Sequence, residues 1–104
     1  MLRRGRFREL VETQLELFAT DEAEFLREAE AADAAWTKAG RDETEELYGD
    51  YQLVVDAIGE RLYDVRETYA GTLDEEAAEE YRGAFDAAAR KRFRRFAAFL
   101  EDED

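Results

Sequence analysis

Carboxylates are the residues here whose number and spacing could do chemistry: 28 of 104 residues are Asp or Glu. Clusters of carboxylate oxygens suit hard cations such as Mg²⁺, which can polarise a phosphoryl group or orient a water. Glu46 and Asp50, four apart, fall on one side of a helix, and the upstream pairs Glu9 with Glu12 and Glu24 with Glu28 offer similar spacings. Other chemistries are closed off, because the chain contains no Cys, His, Ser, Pro or Asn. Thiol and serine nucleophiles, imidazole acid–base work, disulfides and N/S zinc sites are thereby excluded. Di-iron bundles that need Glu-x-x-His on two helices are excluded as well.

The stretch Glu45-Glu46-Leu47-Tyr48-Gly49-Asp50-Tyr51-Gln52-Leu53-Val54-Val55 resembles a helix of the all-α NTP pyrophosphohydrolases of the MazG type. That family's pattern is Glu-x-x-Glu followed, after a spacer, by Glu-x-x-Asp, with four carboxylates holding Mg²⁺ on facing helices. The resemblance implies a Mg²⁺-dependent all-α NTP pyrophosphohydrolase-like enzyme with Glu46 and Asp50 among its metal ligands. The chain departs from the pattern in spacing, since Glu46 and Asp50 are four apart rather than three. Register also separates the two readings. With Tyr48 and Tyr51 at the a and d positions of a heptad, Glu46 and Asp50 fall at f and c and face outward, whereas a shared metal site belongs beside the apolar seam. The stripe Asp56, Glu60, Asp64, Glu67 repels itself along one face and is countered by Arg61 and Arg66, the pattern of a solvated surface. The leading expectation is therefore a protein with no catalytic residue, no metal and no cofactor.

Positive charge is concentrated rather than spread. Residues 1–8 carry four arginines and no acid, residues 9–89 carry 24 acids against six bases, and residues 90–104 carry five bases followed by four acids; the total is −13. Arg90-Lys91-Arg92-Phe93-Arg94-Arg95-Phe96 reads as a basic amphipathic helix, with Lys91, Arg94 and Arg95 on one face. Arg90, Lys91, Arg94 and Arg95 are the candidates for binding an anionic ligand or an acidic partner. The same cations also complement the dipole at a helix C-terminus. An acidic body disfavours stable binding to duplex nucleic acid. Arg3, Arg4, Arg6 and Arg8 oppose the dipole of the helix they lead into and suggest a frayed or partner-facing arm at the far end of the molecule from residues 90–95. Two Lys against 13 Arg, together with the acids, fits either a high-GC coding bias or adaptation to high salt.

The elements that must position these groups are helical. Tyr48, Tyr51, Val55, Ile58, Leu62, Val65 and Tyr69 recur at alternating steps of three and four, an apolar seam of a long helix. Asp42-Glu43-Thr44-Glu45 supplies a capping box at its start and Gly71 a left-handed C-cap at its end. Before it, Val11, Phe18, Phe25, Ala32 and Ala39 repeat every seven residues with Leu15, Ala29 and Trp36 between them, which predicts a helix from Phe7 to Ala39 closed by Gly40. Glu22 interrupts that seam, and beside Thr20 and Asp21 it allows a break near residue 20. After Gly71, Thr72-Leu73-Asp74-Glu75 opens a last helix that turns Ala78, Tyr81, Phe85, Ala88 or Ala89, Phe93, Phe96 and Leu100 inward.

The fold class expected is all-α, an antiparallel up-down-up bundle of three long helices in a single domain over residues 1–104, with 1–6 and 101–104 frayed. Leu10, Leu17, Leu26, Leu47, Val54, Tyr63 and Phe99 lie outside a strict seam and widen the apolar stripes, so association into a homodimer or larger homo-oligomer is expected. No apolar run approaches the length of a membrane span, and Met1-Leu2-Arg3-Arg4-Gly5-Arg6 leads into acids rather than a secretory leader, so a cytoplasmic protein is expected. Function is read as a non-catalytic protein–protein interaction or self-association module. The Mg²⁺-dependent enzyme and an anionic-ligand site at residues 90–95 are the alternatives.

Overall fold

The computed structural model describes residues 5–97 and Leu100. The described residues form four helices and no strand: α1 (Arg8–Asp21), α2 (Ala23–Thr37), α3 (Thr44–Ala70) and α4 (Glu75–Arg92). The segment read as a helix from Phe7 to Ala39, with a break near residue 20 allowed, is two helices divided at Glu22, so the count is four rather than three. Residues 1–4, 101–104 and Phe99, for which fraying or exposure was expected, lie outside the described residues.

The break between α1 and α2 falls on Glu22, whose backbone leaves helical geometry at φ −105° and ψ 23°. Helical hydrogen bonds flank it on both sides, from the Glu22 amide to the Phe18 carbonyl and from the Leu26 amide to the Glu22 carbonyl. Thr20 hydroxyl donates back to the Glu16 carbonyl at 3.2 Å, a bond that bends helices. Glu22 itself accepts from Arg61 of α3 at 2.6 Å, and that guanidinium lies over the Phe25 ring. The polar residue that interrupts the seam is therefore the one that ties the bend to α3.

Contacts fix which helices are neighbours. Trp36 of α2 meets Tyr48 of α3 edge-on, with centroids 4.9 Å apart. Phe7 and Gln14 reach Tyr81 of α4, while Phe18 meets Phe93. The core is built from Val11, Leu15 and Phe18 of α1, Ala29 of α2, Ile58 and Leu62 of α3, and Tyr81, Phe85 and Ala89 of α4. The molecule measures 55 × 27 × 23 Å.

In α3 the buried stripe runs Val55, Ile58, Leu62, Arg66, Ala70, while Val65 and Tyr69 are half-buried and Tyr48 is 43% exposed. A straight α-helix has 3.6 residues per turn, so a strict seven-residue seam drifts by about 20° per heptad. Over this helix the drift moves burial from the expected Val65 and Tyr69 onto Arg66 and Ala70.

The helix ends differ from expectation. Glu43 is the N-cap of α3 and makes no side-chain cap, and the start is held instead by the Thr44 hydroxyl donating to the Gly40 carbonyl at 2.8 Å. Gly71 stays right-handed at φ −65° and ψ −14°, because the Thr72 and Leu73 amides bond to Tyr69 and Ala70 in a tight continuation of the turn. Asp74 caps α4, accepting from the Ala77 amide at 2.8 Å, while the Thr72 hydroxyl donates to Tyr69. Helix α4 ends at Arg92, and residues 93–97 form turns, so the expected basic helix through residue 95 is helical only to Arg92. No glycine, proline or asparagine marks that end, but it places Arg90, Lys91 and Arg92 in the last turn beside the free carbonyls. Phe93, Phe96 and Leu100 are buried as the pattern anticipates.

Candidate functional site

Glu46 and Asp50 lie near the start of α3, both exposed on its outer face. The same is true of the upstream pairs: Glu9 and Glu12 on α1, and Glu24 and Glu28 on α2, are all exposed. Among the described residues no group of three or more acids is placed to hold a metal ion. The outer α3 face carries Glu46, Gly49, Asp50, Leu53, Ala57, Glu60 and Asp64, which helical periodicity brings into one strip. Leu53 stands in its middle at 70% exposure. Leu17 of α1, at 57%, is the other strongly exposed leucine. Leu10, Leu26, Val54 and Tyr63, expected to await a second subunit, pack partly onto the core, and Leu47 is half-buried.

The basic segment is arranged around a groove of about 440 Å³ lined by Leu26, Glu30, Arg92, Phe93, Arg94, Arg95 and Phe96. Two of its guanidiniums are engaged within the chain. Arg92 lies 3.7 Å from Glu16 and over the Phe93 ring, and Arg95 lies 3.5 Å from Asp33. Arg94 is exposed and meets no carboxylate among the described residues. Lys91 turns away from this groove and, with Arg8 and Glu12, borders a second of about 330 Å³ between α1 and α4. Arg90 is exposed. The four candidates thus do not converge on one site: Arg94 and Arg95 share a groove, and Lys91 shares another with Arg8. Arg8 and Lys91 both line this second groove, with Val11, Glu12, Ala84, Ala87 and Ala88 completing it.

Two arrangements were not anticipated. Arg66 is 4% exposed and is the buried charge of the interior. It donates to both oxygens of Asp86 at 2.8 and 3.1 Å and to Glu67 at 2.8 Å, while Arg82 grips Glu67 through two bonds of 2.8 and 2.9 Å. Burial works against the Arg66 charge, and the hydrogen bonds it donates to Asp86 and Glu67 outweigh it, holding the guanidinium firmly charged. The bonds from Arg82, with those from Arg66, hold the Glu67 carboxyl below its ordinary range. The sequence signal was available: Leu62, Arg66 and Ala70 are spaced by four on one helical face.

The second arrangement is aromatic. Trp36 packs against Tyr48 and Tyr51 at the end of the α2/α3 pair where the two helices are joined by residues 38–43. Burial raises the Tyr51 hydroxyl above its ordinary value, opposed by Arg95 and reinforced by Asp33 and Tyr48. The buried Trp36 indole N–H finds no acceptor among the described residues. These groups are suited to packing and pairing; none is an activated nucleophile or a general base poised in a cleft.

Comparison with family models, with curated proteins and with solved structures yields no match. No helix among the described residues is long and apolar enough to cross a membrane. The functional reading therefore rests on the chemistry of these surfaces.

Proposed function

We propose that this chain is a non-catalytic association module, a helical body that binds a second copy of itself or a protein partner through helix faces and the basic groove. The observation that carries this reading is the division of its reactive residues. Among the described residues no three acids converge on a metal site, whereas an exposed apolar side chain and a guanidinium without a carboxylate stand at defined places, Leu53 on α3 and Arg94 beside Phe93 and Phe96. In this reading the helices are disposed as an antiparallel up-down-up bundle in which the bent α1–α2 pair forms one rod. Such a body offers two kinds of surface, acidic ridges and one basic aromatic groove, suited to a partner of mixed charge with an apolar contact point.

Sedimentation velocity of the intact chain at tens of micromolar, paired with a pull-down under the same conditions, tests the reading. It expects a species heavier than the monomer or a specifically retained protein. A strict monomer that retains nothing contradicts it.

A further inference from the structure

We infer that the groove at the end of α4 receives the outer ridge of α3 from a second copy of this chain, with Leu53 as the apolar knob and Glu46 and Asp50 as the acids that meet the groove's guanidiniums. This deepens the association reading proposed above and rests on it.

The groove has an apolar floor, formed by Leu26, Phe93 and Phe96, and a rim of Arg92, Arg94 and Arg95 set against the single carboxylate of Glu30. On a chain of net charge −13 this is a local excess of positive charge. Glu16 and Asp33 answer Arg92 and Arg95 from within the chain, which leaves Arg94 as the rim guanidinium that meets no carboxylate among the described residues. An occupant must therefore bring an apolar group flanked by acid.

The outer ridge of α3 has that composition. Leu53 is the most exposed large apolar side chain described, at 70%. One turn to either side stand Gly49 and Ala57, too small to shield it, and space around Gly49 is open. Glu46, Asp50 and Glu60 lie on the same strip and are all exposed. The same chain cannot satisfy the groove with this ridge, because the groove faces α1 and α2 through Glu16, Asp33 and Leu26 while the ridge points outward from α3. A nucleic acid would supply phosphates without the apolar knob, and would face the acidic body with nothing to offset it. Two copies of this chain also repel at long range, but a Debye length of about 8 Å at physiological salt confines that repulsion to the nearest charges, where the ridge and groove are complementary. One groove and one ridge per chain allow reciprocal insertion about a two-fold axis, which closes a dimer.

Sedimentation equilibrium of the intact chain tests this with single exposed substitutions, circular dichroism confirming that each keeps its helices. Leu53→Asp and Arg94→Glu are each expected to weaken dimerisation by about tenfold or more, as central contacts do. Leu17→Asp, which alters an exposed leucine off the ridge, is expected to leave dimerisation unchanged. Glu46→Arg with Asp50→Arg is expected to dissociate the dimer, and adding Arg94→Glu to restore part of the association. A wild-type chain that stays monomeric at hundreds of micromolar overturns the proposal, as does a Leu53→Asp or Arg94→Glu chain that dimerises as strongly as wild type. A dimer that survives Leu53→Asp leaves the association reading intact and removes this face from it. A wild-type monomer that also retains no protein partner removes both.

Discussion

Arg66 of α3 holds both carboxylate oxygens of Asp86 on α4, at 2.8 and 3.1 Å, from a position almost wholly removed from solvent. Both bonds come from one nitrogen, Nη1, while Nε turns to Glu67, so the guanidinium ties α3 to α4 at one shared donor and spends a second donor within α3. Its lower side is covered by the Tyr63 ring, 5.0 Å from the guanidinium carbon.

Asp86→Ala removes one partner and strands the buried charge on Glu67 alone. Breaking a fully buried pair costs roughly 3–5 kcal/mol. Asp86 is 23% exposed at its side chain, so water relieves part of that cost, and the expected loss is about 2 kcal/mol. Thermal or urea denaturation followed by circular dichroism reads it directly. Replacing Arg66 and Asp86 together by Leu is expected to cost less than either single truncation, since neither charge is then left buried alone.

The same network makes the fold sensitive to acid. Glu67 has its carboxyl held below the unfolded-state value near 4.5 by Arg82 and Arg66. A group whose folded pKa is depressed contributes stability that is present above the unfolded value and lost as pH falls through the folded one. Asp86, which accepts from Arg66, and Glu79, which acts on Arg82, are the other acids of this network. Wild type is therefore expected to lose stability as pH falls below about 4.5, and Glu67→Gln to show a shallower loss over that range, measured by denaturation at successive pH values.

At the alkaline side the sensitive group is Tyr81. Burial pushes its hydroxyl up to about 12, and the hydroxyl donates to Gln14 at 2.7 Å. With the folded pKa above the unfolded value of 10.0, stability is fully present below pH 10 and is lost as pH rises toward 12. Phenolate absorbance is expected to show Tyr81 ionising well above pH 10, together with loss of helix. Tyr81→Phe is expected to flatten the alkaline loss, at a modest cost near neutral pH from the unpaired Gln14.

Trp36 offers a contrasting case. A buried donor with no acceptor carries a desolvation cost of roughly 1–3 kcal/mol. Trp36→Phe removes that donor together with some packing against Tyr48, so its effect on denaturation is expected to stay within about 1 kcal/mol, unlike the 3–5 of ordinary large-to-small core changes.

The helical class and most of the core were legible because apolar spacing reports one face of a helix, and Ile58, Leu62, Tyr81 and Phe85 are all buried where periodicity placed them. Glu22 was legible as an interruption, though not its partner Arg61, because a contact between residues 39 apart leaves no trace in local pattern. The right-handed Gly71 and the Thr44 tie to Gly40 were missed because several hydrogen-bonding patterns satisfy the same helix end. Arg66 was read as a surface counter-charge because a rigid seven-residue register was carried through α3, where the straight helix turns Arg66 inward instead. The groove at Phe93 depends on the helix stopping at Arg92, and no residue type announces that stop.

Amide hydrogen exchange of the intact chain, compared between dilute and concentrated solution, tests the association claim most directly. The account predicts added protection on concentration in the outer strip of α3 around Leu53 and in residues 92–96, with α1 unchanged. Identical exchange at both concentrations, in the absence of any bound protein, would contradict it.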